Sequence, residues 1–393
     1  VPLTGMQVPP MSKPTIQDIF LHFYPKYLEK YTPSPGQAGV AHCIINCKTG
    51  AYGANVSICE NCGHPQIHYN SCRNRCCPMC QALPKEKWMD KRREDVLDAP
   101  YFHVVFTLPQ ELNPLIYSNQ QLLYDAMYHS VSSTINELTT DSKHLGAKVG
   151  YICVLHTWGS EMNFHPHIHV ILLGGGLTTK NQWKDKGKEF FLPVNVLSKL
   201  FRGKYLDELK MLWENNKLQF HGSSKKYRNH YTFKELLDLC YKKDWIPHCK
   251  KTFNGAQSVI NYLGKYTHRI AISNHRLIRM DENTVSYYVK DYREKGRWKE
   301  HTVSGVEFIR RFLMHVPPKR FVRIRHYGLL CTRSKKKHLT LCRNLLGCKQ
   351  YLSRLKNMET PQILETLYGI KITVCKCCGG HLGKPQQRIP LRI

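Results

Sequence analysis

Residues 149–173 read VGYICVLHTWGSEMNFHPHIHVILL. Two apolar runs, 149–157 and 167–173, flank a short polar loop, and the pattern predicts neighbouring strands that pair antiparallel. Side chains on a strand alternate between its faces. His165, His167 and His169 therefore share one face, while Ile168 turns into the core. Two imidazoles at i and i+2 on one strand can hold a single divalent ion. Gly174, Gly175 and Gly176 are expected to end the second strand.

The same reading extends outward. Tyr101–Leu108 (YFHVVFTL) reads as a strand and 119–138 as a helix, which gives a β-α-β-β order. Residues 177–250 are hydrophilic, with helical stretches near 194–215 and 233–243, and read as an insertion. Residues 255–269 (GAQSVINYLGKYTHR) read as a helix opened by Asn254 or Gly255, and 276–303 as a strand meander. Tyr262 and Tyr266 lie one helical turn apart on one face, with Lys265 beside them in sequence. Taken alone, two tyrosines at that spacing read as core or interface aromatics. A tyrosine oxygen can also attack a phosphodiester and store the bond energy in a covalent link. Because its ordinary pKa is about 10, it needs a cation or metal close by.

The chain has 393 residues, with 58 Lys and Arg against 29 Asp and Glu, a net charge of +29. An excess of this size calls for a polyanionic partner, nucleic acid ahead of an anionic membrane. At 42% hydrophobic and 11% aromatic the chain can bury real cores, which excludes a disordered tail and suits two or three domains. No apolar run approaches the roughly 18 residues of a membrane span, and no signal-peptide pattern opens the chain. A cytoplasmic protein without membrane contact is expected, and its clustered cysteines read as metal ligands rather than disulfides. The chain does not begin with Met, and residues 1–10 are set aside from the fold reading.

Eight of the 17 cysteines lie between Cys43 and Cys80. Cys59-x-x-Cys62 and Cys77-x-x-Cys80 are expected to meet at one tetrahedral zinc ion. Cys43, Cys47, Cys72 and Cys76, with His42, His64 or His68, remain for a second site. A last cluster, Cys375, Cys377 and Cys378, is either completed by Cys331, Cys342 or Cys348 or left as free thiols. An amphipathic helix interrupted at Pro25 is expected over 15–31, and a charged helix opening with Pro84 over 84–97. Between His315 and Lys356 stand twelve Lys or Arg and no Asp or Glu, interleaved with Phe321, Tyr327 and Tyr351. Cations neutralise phosphates and aromatics stack on unpaired bases, so this run reads as a DNA-binding surface, with Arg323, Arg325 and His326 as first candidates. Helices over 304–314 and 338–355 accompany it.

A His-hydrophobic-His strand followed by a Tyr-x-x-x-Tyr helix resembles the HUH endonucleases. The blocks SCRNRCCPMCQ (71–81), HVVFTLPQELNPL (103–115), VLHTWGSEMNFHPHIHV (154–170), YLGKYTHRIAIS (262–273) and FVRIRHYGLL (321–330) resemble, more narrowly, the two-tyrosine transposases of the bacterial IS91 family. The likeness spans nearly the whole chain. It departs at Cys76, where the family more often has His, and at CKCC (375–378), where CPxCG is more usual. The resemblance implies cleavage and joining of single-stranded DNA at transposon ends, in rolling-circle transposition. His167 and His169 would hold Mg²⁺ or Mn²⁺, with His156 first, then Glu161 or His165, as third ligand. Tyr262 and Tyr266 would form 5′-phosphotyrosine links, and Lys265 would steady the attacked phosphate. It also implies a ferredoxin-like sheet, single-stranded transposon ends and target DNA as partners, and a bacterial location at the nucleoid.

The expected architecture is α+β in three parts: a helix and zinc module over 11–98, a nuclease domain over 99–303, and a basic, mainly helical region over 304–393. The insertion at 177–250 is expected to build the DNA channel. Rival readings are an HUH replication initiator or relaxase, and a non-enzymatic zinc-containing DNA-binding protein. A three-carboxylate transposase is disfavoured, because no acids stand out beside the strands. The sequence does not set an oligomeric state.

Overall fold

The computed structural model describes residues 13–187, 192–251, 258, 259, 264, 270–291, 294 and 296–388. Two capped helices open it. Thr15 and Asp18 form a reciprocal capping box at the start of α1 (Ile16–Leu28), and Ser34 and Gln37 do the same for α2 (Pro35–Ile45). Contrary to expectation, α1 runs unbroken through Pro25. The proline sits near the helix end, where the missing N–H costs a single bond. A hairpin follows, β1 (Ala54–Ile58) and β2 (Pro65–Tyr69), then α3 (Ala82–Arg93). The βαββ order is present as β3 (Tyr101–Thr107), α4 (Asn113–Ser118), α5 (Gln120–Thr140), β4 (Lys148–Trp158) and β5 (Phe164–Leu177). After it come β6 (Trp183–Asp185), α6 (Val194–Glu214), α7 (His230–Lys242) and β7 (His248–Lys251). The meander is β8 (Leu277–Met280), β9 (Thr284–Asp291) and β10 (Arg297–Ser304). Helix Gly305–Met314, β11 (Ile324–Gly328), helices Lys335–Leu346 and Thr360–Tyr368, and β12 (Gln386–Arg388) complete the described chain.

Among the described residues the main sheet has six strands in the order β11-β4-β5-β3-β7, with β6 paired to β5. All its pairings are antiparallel. Alternation splits the sheet into two faces. Phe102, Val104, Phe106, Cys153, Leu155, Ile168, Val170 and Leu172 pack on α5, α6 and α7 in the largest core. The opposite face carries Tyr101, Ile152, Val154, Ile171 and Leu173, buried with Val259, Leu329 and Leu339.

The structure corrects several expectations. Residues 177–250, read as a hydrophilic insertion, contribute to the main core: Phe201, Tyr205, Leu209, Phe233 and Leu236 are buried in it. These five side chains lie on the face away from the histidines, whereas Leu177 and Trp183 pack on the histidine face. Gly174–Gly176 do not end β5, which continues to Leu177. The helix expected over 338–355 stops at Leu346, where Gly347 takes φ +63° as a left-handed cap. The three-part division is also cross-cut by packing. Helix Gly305–Met314 buries Phe308, Ile309, Phe312 and Leu313 against Phe20 and Phe23 of α1 and Tyr287 of β9. β11 lies in the expected helical region yet pairs with β4, Tyr327 opposite Tyr151.

Candidate active site and thiolate clusters

Strand register assembles the histidines. His156 on β4 pairs directly with His167 on β5, and His169 follows on the same face. Ligand nitrogens of His156, His167 and His169 all lie within 4.8 Å of one another. The ring of His156 stacks on Trp158 at 4.6 Å and approaches His169 to 4.4 Å. The expected first choice for third ligand is thus the one the sheet brings in. His165 is 5.2 Å ring to ring from His167 and lies outside the cluster, as does the exposed Glu161. The Glu161 carbonyl is held by Tyr287 Oη at 3.2 Å and Arg311 Nη1 at 2.9 Å, which fixes its loop to the second sheet.

Outer contacts set the tautomers. His167 Nδ1 lies 2.7 Å from the His165 carbonyl, which can only accept, so Nδ1 carries the proton and Nε2 keeps its lone pair. His169 Nε2 faces that atom at 3.1 Å, and His169 Nδ1 meets His103 Nε2 at 2.9 Å. In the tautomer where His169 donates from Nδ1 to His103, both Nε2 lone pairs converge, and that is the form a shared cation would take up. Burial pushes the His167 pKa down to about 4, and burial drives that of His169 well below its ordinary value. Neutral imidazoles are what a metal requires. The residues therefore fit a divalent ion with positions left for oxygen ligands. His103, on β3, was missed in the sequence. Its parity with Val105 and Thr107, opposite to Phe102, Val104 and Phe106, was the available signal.

Tyr262, Lys265 and Tyr266 lie outside the described residues. Of their neighbours, Val259 is buried among Ile171, Leu173 and Val154, on the histidine face. A side chain at Gly264 would run into Met89 of α3.

The thiolates do not meet as expected. Cys77 and Cys80 join Cys47 and Cys72, whereas Cys59 and Cys62 join Cys375 and Cys378. Each CxxC pair holds together, but the two pairs belong to different clusters. The reason is topological: the β1–β2 hairpin carries Cys59 and Cys62 away from α2, against which Cys77 packs. In the first cluster Cys72 and Cys80 sulfurs stand 3.7 Å apart, and a bond from the Cys77 thiol holds Cys80 down to about 5. Cys43 and Cys76 belong to neither cluster.

Arg323, Arg325 and His326 fall on or beside β11, where protein groups engage them. Arg325 pairs with Asp125 and lies over the Tyr128 ring at 4.0 Å. The Arg323 carbonyl accepts from Leu155 N at 3.0 Å, and burial lowers its guanidinium pKa. His326 is half-buried, and burial pushes it down to about 4. The exposed cations of the basic run are instead Lys319, Arg320, Arg333, Lys336, Lys337, Lys349, Arg354 and Lys356.

Comparison with known proteins places this arrangement. Residues 150–338 match a family model described as putative transposase, and residues 19–108 match one described as transposase zinc-binding domain. A putative transposase, y4qJ, of Sinorhizobium fredii is 42% identical over 379 residues, 95% of this chain and 94% of that protein. The transposase for insertion sequence element IS801 of Pseudomonas savastanoi pv. phaseolicola is 28% identical over 342 residues, 83% of this chain and 75% of that protein. The chain belongs to the IS91 family of insertion-sequence transposases. Among solved structures, the conjugative relaxase TrwC in complex with oriT DNA matches 28% of this chain and 44% of its own at 17% identity. Its TM-score of 0.23 is too low to carry a fold argument. Among the described residues no helix is long and apolar enough to cross a membrane.

Proposed function

We propose that this transposase nicks and joins single-stranded DNA at transposon ends through 5′-phosphotyrosine links. The observation that carries the reading is the convergence of His156, His167 and His169 on one sheet face. Mg²⁺ or Mn²⁺ bound there would polarise a phosphoryl oxygen and offset the charge that develops on it. The chain's own part is to hold the three imidazoles neutral and aimed, with His103 and the His165 carbonyl fixing their rings. Tyr262 or Tyr266 supplies the nucleophile. Its hydroxyl gives up its proton to solvent as the oxygen forms a bond to phosphorus, the bond to the 3′ oxygen breaks, and that oxygen leaves as a 3′-hydroxyl after taking a proton. The other tyrosine serves the second cleavage, and Lys265 neutralises the phosphate. Val259, buried on the histidine face, supports a tyrosine segment close to the site. Cys47, Cys72, Cys77 and Cys80 hold structural zinc within the zinc-binding domain. Exposed cations of the basic run take the DNA backbone.

A covalent-trapping assay tests this. Labelled single-stranded transposon ends with Mn²⁺ should give a protein–DNA adduct on a denaturing gel. Tyr262→Phe with Tyr266→Phe should abolish it, and each single change should rank the two nucleophiles. An adduct that survives the double change would overturn the reading.

A further inference from the structure

We propose that Cys59, Cys62, Cys375 and Cys378 bind a second zinc ion, closing a ribbon from stretches 319 positions apart. Half of these ligands lie outside residues 19–108, the part matching the zinc-binding domain. Four thiolates at about 2.3 Å from zinc stand about 3.8 Å from each other. Cys59 and Cys378 sulfurs are 3.5 Å apart, and Cys62 and Cys375 sulfurs 3.8 Å. A disulfide would need about 2.05 Å.

The backbone on the two sides is the same device built twice. Gly63 and Gly379 follow the second cysteine of each pair, at φ +68° and +74°. Gly63 N donates to the Cys59 carbonyl at 3.0 Å, as Gly379 N does to Cys375 at 3.0 Å. Cys59 N donates to the His64 carbonyl at 3.0 Å, and Cys375 N to that of Gly380 at 2.8 Å. Further N–H groups point at sulfur: Cys377 N at Cys375 and Gly380 N at Cys378, both at 3.4 Å. Such turns present two thiolates to one centre and donate to their charge. β12 pairs with β1, and Glu60 N and Gly383 N tie the two hairpins together. Gly380 passes so near Asn61 that a Cβ there would lie 2.7 Å from its side chain. Yet among the described residues the apolar cluster at this junction is only Cys59, Cys375 and Leu382. A core that small does not hold two hairpins together, and metal binding supplies the missing free energy.

The test uses the full chain purified with zinc. Wild-type protein is alkylated with iodoacetamide, with and without a chelator, and its cysteines are mapped by mass spectrometry. Cys62 and Cys378 are exposed and would react freely without metal. All four ligands should resist alkylation until the chelator is added, while exposed Cys377 reacts in both conditions. Native mass spectrometry of Cys375→Ser with Cys378→Ser should show one zinc fewer than wild type, and Cys377→Ser none fewer. Equal alkylation of Cys375 and Cys378 with and without chelator would overturn the proposal. So would an unchanged zinc count in a folded double variant, or disulfides among the four.

Discussion

His103 is not itself among the candidate ligands, yet its contact with His169 Nδ1 at 2.9 Å aims that ring. Outer partners of this kind typically hold about 10–100-fold of metal affinity. His103→Ala should weaken Mn²⁺ binding by about that factor in a calorimetric titration while leaving DNA binding at high salt unchanged. Equal affinity would remove His103 from the site. A second buried histidine acts on stability. His315 Nδ1 meets Thr157 Oγ1 at 3.1 Å and its Nε2 meets the Met162 carbonyl at 3.0 Å. Burial pushes its pKa down to about 4. The unfolded chain takes up the proton near pH 6.5, so between about 6.5 and 4 the unfolded state binds more protons and stability falls as the pH falls. His315→Gln should flatten part of that decline in urea midpoints measured across this window; an unchanged slope would count against it. The contrast between His156 and His103 shows what a sequence can tell at this scale. His156 was readable because it ends the strand next to the histidine strand through a short loop. His103 comes from β3, and only its long-range register with β5, Val105 opposite His169, places it there.

At the scale of elements, the glycine run after the histidine strand has a packing reason. A Cβ on Gly174 would lie 2.9 Å from Phe102, on Gly175 2.4 Å from Trp183, and on Gly176 2.4 Å from the Lys148 carbonyl. The last of these is backbone and cannot swing aside. Gly176→Ala should therefore cost about 1–3 kcal/mol, read from chemical denaturation. An unaffected midpoint would mean that β4 and β5 separate here without loss. The sequence marked these glycines as punctuation, because turns and close strand contacts use the same residue. Helix α6 was legible near 194–215, but its place in the main core was not. Leu197, Phe201, Tyr205 and Leu209 recur every four residues and are buried, but the lysines between them made the segment read as a hydrophilic insertion. The CxxC spacing showed which thiols stay together as pairs. It could not say which pair meets which, because that depends on where β1 and β12 cross.

At the scale of the molecule, a charge of +29 dominates association with nucleic acid. Each phosphate contact to a single strand contributes about 0.7 to the slope of log K against log salt. Lys336→Gln with Lys337→Gln should lower that slope by about 1.4 in fluorescence anisotropy, with little dependence on DNA sequence. Arg325→Gln should instead lower thermal stability, since Arg325 is engaged with Asp125 and Tyr128. If Arg325→Gln changed the salt slope and the lysine pair did not, the basic surface would be misplaced.

The pairing of β1 with β12, Ala54 opposite Arg388, also has a meaning in time. A ribosome adding about 5–20 residues per second needs roughly 17 to 67 s to travel from the first partner to the second. Throughout that interval the early hairpin waits with one edge bare and two thiols unspent, beyond the reach of its eventual neighbour. Such a nascent chain is open to oxidation and to strand exchange with other copies until translation is nearly done. A stop codon anywhere upstream of Cys375 would make that exposure permanent.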